Sequence, residues 1–308
     1  MIELVQRARA LQRRGEWALP LPGRGGTPQR HEKLMQLGCA DLSLARIGEA
    51  HTDALAILAE AGREQGFEGV YGVWASDGPE STLHAASLPG GRWRLSGRKQ
   101  YCSGAGLLDA ALLTAHGPEG LLLFEVPLEC AGIEVLESTW RNPALADTAT
   151  GPVAIDGVVL PPTALIGETN WYLQRPGFWH GAIGPAACWA GGALFLIEAA
   201  KSLDRKDPHR RAQLGALDAI GWGLHALLIQ SGEEIDEDPD DVHHTGRRRA
   251  LMVRHLIERW CTEALDRFGR ATGPQLLAFD EQVIGQYGAL TVYIRQCHAE
   301  RDLAAIAT

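Results

Sequence analysis

Paired cysteines are missing from this sequence. Its six cysteines, Cys39, Cys102, Cys130, Cys188, Cys261 and Cys297, stand far apart with no Cys-x-x-Cys among them. That excludes the common zinc and dithiol spacings and leaves no disulfide framework. A long basic face is also missing. The 308 residues carry a net charge of −9 with histidine neutral, which argues against nucleic acid as the main partner. No uninterrupted apolar run reaches membrane-spanning length, the nearest, around 182–196, being broken by glycines and a proline. The first residues lack the continuous apolar core of a secretory signal. The expectation is a reduced, cytoplasmic setting. No solenoid-period repeat or low-complexity tract is present. The glycine-rich run 20–27 lacks the Gly-Lys-Ser/Thr ending of a phosphate loop and follows no strand, so it reads as a plain loop.

What is present is ample core material, with 45% hydrophobic and 22% charged residues, in a chain long enough for two or three lobes. Residues 1–67 read as a helical lobe. It holds a basic amphipathic segment over 2–14 and a helix capped by Asp41 or Ser43 with Leu44, Ile47, Leu55 and Leu58 on one face. His51 falls on that stripe and reads as a satisfied, partly buried histidine. Residues 68–168 change texture to short runs at 69–75, 83–88, 92–100, 109–116, 121–127, 133–137 and 153–160, punctuated by Gly, Pro and Asp. Strands at this spacing predict a small antiparallel barrel or sandwich. Residues 169–308 read as helices over 178–203, around 214–228, 247–268 and around 283–297, with a solvated acidic connection at 233–241; together they predict a four-helix bundle.

The stretch with most chemistry is 91–106, GRWRLSGRKQYCSGAG. Alternation through Trp93 and Leu95, a Ser96-Gly97 punctuation and a second run through Tyr101 predict a hairpin turning at Ser96-Gly97. The small residues after it, Ser103 to Gly106, let backbone and hydroxyl groups approach a flat ligand. An ordinary hairpin fits the same residues.

Helical lobe, β lobe, helix bundle is the order of the acyl-CoA dehydrogenase family, and this stretch resembles that family's strand W-x-ϕ-x-G-x-K-x-W-ϕ-T-N-G, with Trp93, Gly97, Lys99, Tyr101 and Ser103 at the matching places. The resemblance implies an α+β fold with a short N-terminal helical lobe, a central antiparallel β-barrel and a C-terminal four-helix bundle. It implies FAD as cofactor, with Tyr101 over the isoalloxazine and Ser103 hydrogen-bonded to it. A homodimer or homotetramer follows from the same source. Trp74 and Ser76, in what remains of the family's Thr-Glu-Pro loop, are further cofactor candidates. Gly269, Thr272 and Gly273 stand where the family contacts the adenine side, and they fit a helix C-cap equally. For the pyrophosphate, the family's R-x-x-F-G run is not recognisable, and Arg205, Arg210 and Arg211 are the nearby cations.

The departure with most consequence concerns the base. A dehydrogenase of this kind needs a carboxylate to take the α-proton of its acyl thioester. One of the two places that carry it falls on Gly181 and the other within 292–295, and neither holds a carboxylate. His180 beside the first place, and Glu300 beyond the second, are the substitutes. Three readings result: an FAD-dependent dehydrogenase of an acyl thioester other than a long fatty acyl chain; a flavin monooxygenase of the same fold; and a non-catalytic binding or assembly module.

Overall fold

In this computed structural model, residues 2–78, 82–203 and 207–307 are described. The first helices are α1 (Ile2–Arg13), α2 (Thr27–Ala40) and α3 (Leu42–Glu60). The start of α3 is set by Asp41, whose Oδ1 accepts from the Leu44 amide at 3.0 Å. Leu44, Ile47 and Leu58 are buried along it as the periodicity predicts.

The strands follow: β1 (Tyr71–Trp74), β2 (Leu83–Ser87), β3 (Trp93–Cys102), β4 (Ala110–His116), β5 (Leu121–Pro127), β6 (Ile133–Val135), β7 (Gly151–Leu160) and the two-residue β8 (Leu165–Ile166). They form one open sheet in the order β6-β7-β3-β2-β4-β5-β8, with β1 paired to β4. Two expectations are corrected here. The sheet is mixed and unclosed: β1 and β2 both run parallel to β4, and β6 and β8 are free ends of the order. The hairpin at Ser96-Gly97 does not form either. β3 is one continuous strand of ten residues, pairing with β2 on one side and β7 on the other. Gly97 takes φ +139°, a Cβ on it would collide with the Thr82 carbonyl, and the register with β7 shifts between Leu95 and Gly97. The glycine makes a bulge, not a turn.

Period-two alternation places the core on both faces. Ala111 and Leu113 of β4 and Leu122, Phe124 and Val126 of β5 join Leu83, Leu95, Val153 and Ile155 in one cluster. Ala110, Leu112 and Leu123 join Ala54, Ile57 and Leu58 of α3 in the other. Buried Glu125 of β5 receives hydrogen bonds from the Tyr71 hydroxyl at 2.7 Å, the Gly66 amide at 2.8 Å and Arg63 at 3.1 Å. It thereby anchors the link from α3 to β1.

The remaining helices are α4 (Trp171–Gln174), α5 (Pro176–Gly181), α6 (Gly184–Ser202), α7 (Pro208–Glu237), α8 (Gly246–Thr272), α9 (Pro274–Phe279), α10 (Glu281–Tyr293) and α11 (Glu300–Ile306). The single helix expected over 178–203 is thus broken between α5 and α6. Among the described residues α6 packs on α7, α8 and α10, and α2, from the N-terminal region, packs on α6 and α7, so the helices expected to form a bundle of four also pack with α2. Glycines make the approach of α2 to α6 possible: a Cβ on Gly38 would strike the Cys188 backbone, and one on Gly191 the Met35 carbonyl.

By packing, the described residues form two compact units. The sheet unit takes Met1–Ala18, Ala50–Asn142 and Ala146–Phe178; the helical unit takes Leu19–Glu49, Pro143–Leu145 and Trp179–Thr308. The N-terminal helices, expected as a lobe of their own over 1–67, are shared between the two. The segments Pro176–Ser202 and Pro208–Glu237 are long and apolar enough to cross a membrane by length and composition, and most of the first is buried inside the protein.

Candidate functional site

Within the sheet unit, three of the residues singled out from sequence come together. The Trp74 indole Nε1–H donates to the Ser103 carbonyl at 3.0 Å, and both residues are buried. The Ser103 hydroxyl accepts from Thr150 Oγ1 at 3.0 Å, and Thr150 Oγ1 lies 2.9 Å from Thr148 Oγ1. Since the Thr150 proton is committed to Ser103, Thr148 is the donor to Thr150, and the Ser103 proton remains to be given elsewhere. The Gly104 amide donates to the Thr148 carbonyl at 2.7 Å, closing the small-residue turn after β3. Tyr101, two residues before Ser103 on the strand, is 62% exposed. A large aromatic ring left in the open beside a buried hydroxyl donor is a surface suited to a flat, polar-edged ligand.

The loop after Trp74 is held by Lys99. This lysine side chain is 1% exposed, with Nζ donating to Asp77 Oδ1 at 2.7 Å and to Thr114 Oγ1 at 2.8 Å. Thr114 in turn donates to the Ala75 carbonyl at 3.1 Å, and Asp77 Oδ2 is 2.8 Å from His116 Nε2. Burial lowers the Lys99 pKa. Burial would raise Asp77, but the Lys99 hydrogen bond and charge outweigh it and hold that carboxyl below its ordinary range. Ser76 is exposed within this tied segment. Neither Thr150 nor the Lys99–Asp77 pair was singled out from sequence. The signals available for Lys99 were its place in the strand motif and its phase with the buried Leu95 along an alternating strand.

The candidates in the helical unit are placed differently. His180 is buried in α5, with Nε2 3.0 Å from the Pro239 carbonyl; a carbonyl can only accept, so Nε2 carries the proton. Glu300 is exposed in the first turn of the seven-residue α11, a charged helix start. The second expected base position, 292–295, contains buried Tyr293 and ends at Arg295, which pairs with Glu258 at 2.9 Å. Gly269 and Thr272 belong to α8, and Gly273, at φ +67°, is its cap. The buried Thr272 hydroxyl lies 2.9 Å from the Phe268 carbonyl, to which it donates. Arg210 is buried and donates to the Ala200 and Leu203 carbonyls, both at 2.6 Å, closing the end of α6; Arg211 is exposed. Arg205 lies outside the described residues. Among the described residues no cluster of three His, Cys, Asp or Glu side chains could hold a metal ion.

No protein-family model and no curated protein matches the chain. Solved structures do. FMN-bound TdsC from Paenibacillus sp. A11-2, a dibenzothiophene monooxygenase, superposes with a TM-score of 0.79 at 19% identity, over 99% of this chain and 94% of its own. The methanesulfinate monooxygenase MsuC from Pseudomonas fluorescens gives 0.80 at 18%, over 97% and 87%. A nitrososynthase from Micromonospora carbonacea var. africana gives 0.79 at 17%, over 97% and 86%. The fold is the acyl-CoA dehydrogenase-like fold. At these identities the likeness establishes the fold alone.

Proposed function

We propose that this chain is a flavin-dependent monooxygenase that holds FMN against the joint of Trp74 and Ser103 and acts on a small molecule. The observation that carries this reading is the absence of a carboxylate at Gly181 and throughout 292–295. Removal of an α-proton from a thioester needs such a base, whereas oxygen transfer does not. The similar solved structures, two monooxygenases and a nitrososynthase, support the same direction. The dehydrogenase of an acyl thioester is therefore set aside.

The residues present fit a flavin. Tyr101 supplies an open aromatic face, Ser103 supplies a hydroxyl proton held in place by Thr150, and Trp74 walls the turn. When bound, the flavin would supply the electrons and the oxygen chemistry. The chain's own part is to grip the ring edge through Ser103, cover it with Tyr101 and keep the Trp74 loop in place through Lys99. FMN replaces FAD in this reading because the adenine-side candidates are spent on helix ends: Gly269 lies within α8, Gly273 caps it, and the Thr272 hydroxyl satisfies a helix carbonyl. Free FMN bound from solution fits a cytoplasmic protein. A second copy of the chain would cover the exposed side of α7, where Trp222 is 77% exposed.

The test is a titration of the purified protein with FMN and with FAD, followed by flavin absorption and fluorescence. FMN bound more tightly than FAD, and weakened by Ser103→Val, supports the assignment. Protein that takes up neither flavin overturns it in favour of a non-catalytic module. Bleaching of the bound flavin by acyl-CoA thioesters under anaerobic conditions would restore the dehydrogenase. Substrate-dependent oxygen uptake with FMN reduced by a separate reductase is the expected result.

A further inference from the structure

The two places left without a carboxylate share a neighbour inside the helical unit. Arg254 of α8 donates from Nη1 to the carbonyl of Ala182, next to Gly181, at 2.7 Å, and from Nη2 to that of Gln296 at 3.0 Å. Its guanidinium lies 4.8 Å from the centre of the Trp189 ring. Trp189 meets Tyr293 edge to face, centroids 6.1 Å apart at 74°. On the far side of Tyr293, the Arg46 guanidinium is 5.9 Å from that ring's centre and 3.3 Å from Glu49. All four groups come from different helices, α3, α6, α8 and the end of α10.

Two features of this cluster are unusual for a packed interior. Trp189 and Tyr293 are at most 1% exposed, yet among the described residues Trp189 Nε1 has no hydrogen-bond partner. The Tyr293 hydroxyl has none of good geometry, its polar neighbour being the Arg46 guanidinium, which acts on it by charge and by a loose hydrogen bond. A buried donor left without a partner is destabilising unless a ligand satisfies it. The two guanidiniums are also held differently: Arg46 pairs with Glu49 at 3.3 Å, while Arg254 is bonded to two backbone carbonyls and feels the charges of Asp302 and, after it, Glu49. Burial lowers the Arg254 pKa and pushes the Tyr293 phenol well above its ordinary value, so the phenol keeps its proton as a donor.

We infer that this cluster binds the anionic head of a small-molecule substrate, its oxygens taken between Arg46 and Arg254 with the Tyr293 hydroxyl and the Trp189 Nε1–H as further donors. The shared chemistry is an oxyanion of a few heavy atoms: carboxylate, sulfonate or phosphate. An arginine supplies paired donors to such a group, and a buried phenol and indole add direction without charge. The inference deepens the monooxygenase reading by naming a substrate class, and it can be tested without flavin.

The experiment is calorimetric titration of the flavin-free protein with acetate, methanesulfonate and inorganic phosphate, each as a separate arm, in chloride buffer. The expected result is saturable binding of at least one anion at one site per chain. Arg254→Gln weakens it roughly tenfold or more and Arg254→Lys less, while Tyr293→Phe weakens it by about threefold to tenfold. FMN uptake by Tyr293→Phe stays unchanged. If Arg254→Gln does not fold, Tyr293→Phe, which removes a single oxygen, decides the matter. Absence of binding in all three arms, or affinity untouched by Tyr293→Phe and Arg254→Gln, overturns the inference. Loss of FMN binding with anion binding intact would instead count against the monooxygenase reading alone.

Discussion

Trp74 and Ser103 are 29 residues apart in sequence and joined by one hydrogen bond, indole Nε1–H to backbone carbonyl, at 3.0 Å. The bond seats the last residue of β1 against the turn that follows β3. It leaves the Ser103 side chain to Thr150, whose hydroxyl donates to it at 3.0 Å.

Trp74→Phe keeps an aromatic ring, at smaller volume in a buried position, and removes the donor. The buried Ser103 carbonyl then loses its partner, with an expected cost of about 1–3 kcal/mol. FMN affinity should fall roughly tenfold through misplacement of Ser103. Urea denaturation and fluorescence titration measure the two effects, and unchanged affinity would detach Trp74 from the site.

The pair of Lys99 and Asp77 should respond asymmetrically. Lys99 is 1% exposed and Asp77 36%. Asp77→Asn removes the carboxylate from a buried ammonium whose other partners among the described residues, the Thr114 hydroxyl and the Ser76 carbonyl, are neutral, with an expected loss of about 3 kcal/mol. Lys99→Met leaves a carboxylate that water and His116 still reach, with a loss nearer 1 kcal/mol. The reverse order in urea denaturation would show that the ion pair does not govern this loop.

Stability should fall on mild acidification. Burial lowers both His31 and His51 from 6.5 to about 4. His51 Nδ1 accepts from the Tyr71 amide and so cannot carry a proton there; His31 Nδ1 donates to the Leu228 carbonyl, which favours the charged form, but burial outweighs it. Between pH 6.5 and 4 the unfolded chain takes these protons and the folded chain refuses them. Stability is therefore intact above 6.5 and drains as pH falls toward 4, by up to about 3 kcal/mol for each histidine. Denaturation midpoints at pH 7.5 and 5 measure it. His51→Gln should flatten part of the slope.

Gly97→Ala places a Cβ against the Thr82 carbonyl in a backbone of φ +139°. The expected cost is about 2–4 kcal/mol, with β3 forced to change its pairing to β2 or β7. A melting temperature equal to that of the parent chain would mean that the bulge relaxes freely.

The seven longer strands and the main helices were legible because their apolar periods are local. The two-residue β8 was not, since so short a run carries no period. At Ser96-Gly97 the residues of a bulge and of a hairpin turn are the same; only the partners Thr82 and Ile155, far along the chain, decide between them. The barrel expectation failed for a related reason. Parallel pairing of β1 with β4 leaves no mark in either strand. At the site, Ser103 and Trp74 could be picked out by resemblance, but Thr150 could not, because a threonine opening a strand looks like any other. The cluster of Arg46, Trp189, Arg254 and Tyr293 draws one residue from each of four helices, and no window of sequence contains two of them with their relation visible.

The hydroxyls of Thr148, Thr150 and Ser103 form a row with a direction: each is obliged to donate to the next, and none can turn back without breaking the bond behind it. Thr150 takes one of the two lone pairs on the Ser103 oxygen, so that hydroxyl is left with its proton to give and one lone pair to offer. The row thus settles which side of the oxygen is spent, and the orientation of Ser103 is set from Thr148 onward.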